Sequence, residues 1–203
     1  MVNLLSNIKL SNRRSNGGFT LIELMITISI FVFMTALILA KYNSYYSGTL
    51  FNNIAYDIAL SIRQAQNYGI SVKINDDPND KSFNRAYGVW FPGSGSSSSN
   101  NIFGIFKYDN TLNWANSVVE KEYRLKHGAT FKSFKVLYGG SDVAVDNLEI
   151  IFQRPDPEAI INGAKDGTVY QKVNSVTITL LAVDGVTTKE ITVNSSGMIS
   201  IGD

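Results

Sequence analysis

The sequence predicts an α+β fold in which one long N-terminal helix, half transmembrane and half amphipathic, packs against an antiparallel β-domain made of two sheets. Three observations predict it. No charged residue stands between Leu24 and Ala40. Apolar residues at helical spacing resume beyond that run, as far as about Tyr68. After Tyr68 there are only short β-branched and aromatic runs, separated by Gly, Pro, Asn and Asp. A chain of 203 residues suits one domain plus an anchor, and an apolar content of 44% is enough for a sizeable core.

Residues 1–18 are Asn- and Ser-rich, with Lys9, Arg13 and Arg14 unopposed by any Asp or Glu. They read as a leader outside the fold. Residues 19–40 form the membrane segment, since Phe19 to Ala40 meets the roughly 20 apolar residues that one bilayer span requires. Only Lys41 follows it closely, so the charge bias holds the first residues in the cytoplasm and sends the bulk outward. Tyr42, Tyr45 and Tyr46 come next, where an aromatic belt would sit. No small-residue cleavage site follows Ala40, so an ordinary secretory signal does not fit.

Glu23 is the anomaly in this segment. A carboxylate inside an apolar stretch costs about several kcal/mol unless it is paired or lies shallow. A cut between Gly18 and Phe19 would create an amino group four residues ahead of it. That positive terminus, on a neighbouring copy, would neutralise Glu23 and make the pair a lock between subunits.

The stretch Gly18-Phe19-Thr20-Leu21-Ile22-Glu23-Leu24-Met25-Ile26 resembles the class III signal of type IV pilins and pseudopilins. The resemblance implies cleavage after Gly18 by a prepilin peptidase, N-methylation of Phe19, and packing of the apolar helix into a filament core with Glu23 as an assembly contact. It implies as partners other pilin or pseudopilin subunits, an inner-membrane assembly platform, and membrane lipid before assembly. The expected location is the inner membrane, single-pass with the N-terminus in the cytoplasm, and then a cell-surface or periplasmic filament.

Residues 41–69 continue the helix. Leu50, Ile54, Ile58, Ile62 and Ala65 recur on one face with Phe51, Ala55 and Ala59 beside them, while Asn52, Asp57, Arg63 and Gln66 fall elsewhere. Gly69 reads as the C-cap and Gly48 as a tolerated weak point.

Residues 70–203 form the β-domain. Ser71 to Ile74 reads as a short strand and Asn75 to Asp80 as a solvated loop. Three carboxylates in that loop suggest calcium, but the Gly and closing Glu of the 12-residue pattern are missing. Ala86–Phe91 and Ile102–Tyr108 are strands joined by the polar Gly93–Asn101 loop. Val119, Tyr123 and Leu125 alternate with Glu120, Glu122 and Arg124, as in a strand with one wet face. Thr130–Tyr138 and Asn147–Gln153 follow, the second ended by Arg154-Pro155-Asp156-Pro157-Glu158. Asp156 and Glu158 read as parts of a rigid turn, with no nucleophile or metal beside them to make an acid pair. Val176–Val183 and Thr187–Val193 flank Asp184-Gly185, a type I′ hairpin signal. Asn194–Gly197 turns once more into a final strand, Met198–Ile201. The total is about eight strands in two sheets.

The Arg63-Gln64-Ala65-Gln66 segment at the helix end, the many strands and the closing Asn194-Ser195-Ser196-Gly197-Met198-Ile199-Ser200-Ile201 are similar to GspH/FimT-type minor pilins and pseudopilins. With that likeness the chain is expected to be a structural minor subunit of a type IV pilus or type II secretion filament. The alternative is a DNA-binding minor pilin acting in DNA uptake. Against it, the tail from Gly197 to Asp203 has no cation, and Arg124, Lys126, His127, Lys132 and Lys135 read as ordinary solvated charge. A net charge of +1 gives no field to attract nucleic acid. One His, no Cys and no hydrolase or metalloprotease motif argue against an enzyme, so no catalytic, cofactor-binding or metal-ligating residue is expected.

Overall fold

The computed structural model describes residues 18–71, 85–93, 100–108 and 117–202, apart from the side chains of residues 40–47. The expected leader, the Val72–Ile74 part of the first strand, the Asn75–Asp80 loop, the centre of the Gly93–Asn101 loop and the tyrosine belt all lie outside the described residues or side chains. The chain divides into two compact units, Met1–Tyr45 and Tyr46–Asp203. A single helix, α1 (Leu21–Ile70), contributes to both.

In the first unit the helix is apolar all round over residues 24–39. Leu21–Leu39 is long and apolar enough to cross a membrane, and none of it is buried against other parts of the protein. Its hydroxyls are satisfied by its own backbone. Thr27 donates to Leu24 O at 2.9 Å, Ser29 to Met25 O at 2.8 Å and Thr35 to Phe31 O at 2.8 Å, so they place no stray polar group in hydrocarbon.

In the second unit the helix is covered. Phe51, Ile54, Ala55, Ile58, Ile62 and Ala65 are buried, which is the predicted stripe, while Leu50 and Ala59 at its margins are half-buried. Two expectations at the helix end are corrected. Gly69 does not cap the helix, because it lies inside α1 and is absent from the left-handed residues. Its glycine is required by close approach: a Cβ there would stand 2.5 Å from the carbonyl oxygen of Phe152. Gln66 is also buried rather than outward-facing. Its amide donates to Pro157 O at 3.0 Å and Gly197 O at 3.2 Å, which removes the cost of burying it.

Among the described residues there are eleven strands: β1 (Tyr87–Phe91), β2 (Ile102–Lys107), β3 (Val118–Arg124), β4 (Thr130–Tyr138), β5 (Ser141–Val145), β6 (Asn147–Phe152), β7 (Ala159–Lys165), β8 (Thr168–Tyr170), β9 (Ser175–Leu181), β10 (Thr188–Asn194) and β11 (Ile199–Gly202). They form two antiparallel sheets, a six-stranded one in the order β3-β2-β1-β6-β7-β8 and a five-stranded one in the order β11-β10-β9-β4-β5. One core takes residues from the helix and from both sheets. Phe91 of the first sheet meets Phe131 of the second at 5.5 Å and Phe134 at 5.9 Å. The six-stranded sheet also buries part of its other face, where Ala86, Phe106, Tyr108 and Ile151 form a second cluster. That is why β1 and β2 read as continuous apolar runs with no wet side.

The extra strands come from turns that were legible but unread. Gly139-Gly140 (φ 60° and 83°) joins β4 to β5, and Asp166-Gly167 (φ 48° and 81°) joins β7 to β8, each with both central residues left-handed as a type I′ turn requires. Asp184-Gly185, which was expected to be such a turn, is not one. Only Gly185 is left-handed, and the connection from Leu181 to Thr188 is longer than two residues. Asp184 instead accepts from Val186 N–H and Thr187 N–H at 2.9 Å each, and from the Thr187 hydroxyl, which holds the wider loop.

β3 departs from its predicted alternation. Its pairing with β2 shifts register between Ile105 and Phe106, so that Ile105 faces Lys121 and Phe106 faces Val119, leaving Glu120 as the extra residue. The bulge moves Val119 to the face opposite Tyr123. On this edge strand only Tyr123 is half-buried, and Val119 is 61% exposed.

Candidate assembly site at the N-terminal helix

Three residues begin the helix. Thr20 is its N-cap: the Thr20 carbonyl accepts the first helical hydrogen bond from Leu24 N–H at 3.1 Å, and the Thr20 hydroxyl accepts from Glu23 N–H at 3.3 Å. The same hydroxyl lies 3.4 Å from Glu23 Oε2, to which it donates. Thr20 and Glu23 are thus spaced as in a capping box, and Glu23 lies in the first turn, where the helix dipole favours an anion. Part of the compensation Glu23 needs is therefore local.

The role of Thr20 was missed in the sequence, although Thr-x-x-Glu before an apolar run is its signature. A carboxylate offers about four acceptor sites, and Thr20 uses one. Glu23 is exposed, as are Gly18 and Phe19, the latter with 76% of its surface open. The residues expected at a cleavage and methylation point are thus accessible, four residues ahead of an exposed carboxylate. Each turn that follows, as far as Leu39, presents apolar surface.

The remaining candidates fall elsewhere. Arg124, Lys126 and His127 are exposed around one cleft, while Lys132 is the extra residue where β4 bulges against β9, and Lys135 points outward from β4. The expected basic stretch is therefore only partly gathered. Asp156 and Glu158 lie exposed on the Pro155–Glu158 turn. Tyr108 donates to Glu149 Oε2 at 3.0 Å beside the second cluster. Burial pushes the Glu149 carboxyl above its ordinary value, against the hydrogen bonds from Tyr108 and Asn162, and burial beside Glu149 pushes the Tyr108 phenol up as well. Among the described residues no group of three or more His, Cys, Asp and Glu converges in a metal-holding geometry.

Comparison with known proteins matches one family model, the prokaryotic N-terminal methylation motif, over residues 13–39. No curated protein and no solved structure matches the chain. The matched residues contain Gly18, Phe19, Thr20 and Glu23 and end where the apolar span ends. The chain carries a type IV pilin-like signal. With its apolar helix it fits a membrane-anchored precursor that prepilin peptidase processes.

Proposed function

We propose that the chain is a minor structural subunit, a minor pilin or pseudopilin, of a type IV pilus or type II secretion filament, and that it has no enzymatic role. Prepilin peptidase cuts between Gly18 and Phe19, and the new terminus at Phe19 is methylated. Before assembly Phe19 to Ala40 holds the chain in the inner membrane, with the N-terminus in the cytoplasm and the β-domain outside. In the filament the apolar helix packs among like helices, and Glu23 pairs with the amino terminus of a neighbouring subunit. One observation carries this reading: a single carboxylate, Glu23, stands in the first turn of an exposed apolar segment, four residues after Phe19 and inside the matched methylation motif.

Substitution separates the steps. Glu23→Val keeps membrane insertion and lowers the amount of chain recovered in sheared filaments, and undiminished recovery refutes the pairing. Gly18→Val blocks processing, seen as a slower-migrating precursor on a gel.

A further inference from the structure

The second unit contains a cleft of about 530 Å³ between the helix and the end of β3. Asp57 and Leu60 line it from the helix, Phe103 and Leu125 are its buried floor, and Arg124 and Lys126 stand on the far wall beside His127. Lys126 is held there by a tight turn. Ala129 N–H donates to Lys126 O at 3.2 Å, and His127 and Gly128 between them are both left-handed (φ 55° and 71°). Arg124 and Lys126 have no ion-pair partner among the described residues.

We propose that this cleft receives the Pro155–Glu158 turn of a second copy of the chain. The proposal rests on the assembly reading above and names a lateral contact within it. Charge is the first support: the turn exposes Asp156 and Glu158, while Arg154 donates to Ser71 O at 3.2 Å. These two carboxylates complement Arg124 and Lys126 on the wall opposite Asp57. Rigidity is the second. Pro155 and Pro157 restrict the turn, and Gln66 anchors it through Pro157 O, so little conformational freedom is left to lose on docking.

Placement is the third. Asp57 lines the cleft, and Gln66, which holds the turn, is nine residues further along the same helix (66 − 57). Nine residues are about 2.5 turns, so the two lie on opposite flanks, about 13 Å apart along the axis. A surface on one flank with its complement on the other is a heterologous contact. Such a contact joins adjacent copies head to tail rather than as a closed two-fold pair, so a short run of copies fits within a filament.

The chain has no cysteine, which makes a cross-link test clean. One copy carries Lys126→Cys and another, co-expressed, carries Glu158→Cys. Oxidation of sheared filaments is expected to give a dimer only when both variants are present, since a disulfide needs Cα atoms within about 7 Å. In the uncross-linked chain, Lys126→Glu is expected to lower filament recovery several-fold, and Glu158→Lys in the same chain to restore it. Filaments at parental yield without the mixed dimer overturn the docking and leave the assembly reading intact. A Glu158→Cys cross-link to a different subunit overturns the second copy as occupant. A parent chain that is folded and processed yet absent from filaments overturns the assembly reading and the docking with it.

Discussion

The two halves of α1 share a backbone and differ in what surrounds them. Beyond Glu23, residues 24–39 are apolar on every side and leave every side exposed, whereas from Phe51 to Gly69 the apolar residues narrow to a stripe that the sheets cover. A stripe is what a folded domain needs, since its other side meets water. An all-round apolar surface is what lipid or a bundle of like helices needs. The second half satisfies itself within the chain, and the first half leaves an apolar surface that suits lipid or like helices.

The largest expected effect is on this contrast. Ile58 and Ile62 are fully buried, so either changed to Ala should destabilise the β-domain by about 2–5 kcal/mol in thermal or denaturant unfolding. Ile30→Ala in the first half should change it by less than about 0.5 kcal/mol, as expected of an exposed side chain. Equal losses would erase the distinction between the halves. The two helical glycines sharpen it. Gly69→Ala forces a Cβ onto the Phe152 backbone and should cost about 1–3 kcal/mol. Gly48→Ala meets nothing within 4 Å and should be neutral or raise helix stability by up to about 1 kcal/mol.

Much of this contrast was legible in the sequence. The charge-free run and the spacing of Ile54, Ile58 and Ile62 are long, repetitive signals of the kind that burial imposes directly. Single insertions and side-chain accidents were less legible. The bulge at Glu120 inverts Val119, yet a period-two pattern has no way to announce one extra residue. Asp184-Gly185 and Asp166-Gly167 are the same dipeptide, and only the second forms a two-residue turn, because Asp184 is engaged by Val186 and Thr187 beyond it. Gln66 carries the polarity of a surface residue, and its burial depends on two carbonyls from distant loops. At the candidate site Glu23 stood out as a misplaced charge, while Thr20 was overlooked beside it although the spacing of a capping box was present.

Smaller effects test the details. The Glu149 carboxyl is held above its ordinary value chiefly by burial. Its contribution to stability is therefore complete below the unfolded carboxylate value and is lost as pH rises through the folded one. Glu149→Gln should gain on the parent as pH rises over that range and lose the advantage on acidification, followed by melting temperature. A gap that is constant with pH would contradict the assignment. At the helix start, Thr20→Ala should loosen the first turn by about 0.5–2 kcal/mol, read as faster amide exchange at Glu23 and Leu24 with the β-domain unchanged.

The most direct measurement is the intact mass and N-terminal sequence of the chain recovered from sheared filaments. A polypeptide that begins at a methylated Phe19 is expected, with Glu23 four residues from its amino group. A chain that keeps residues 1–18 and is found only as a free monomer in solution would contradict it.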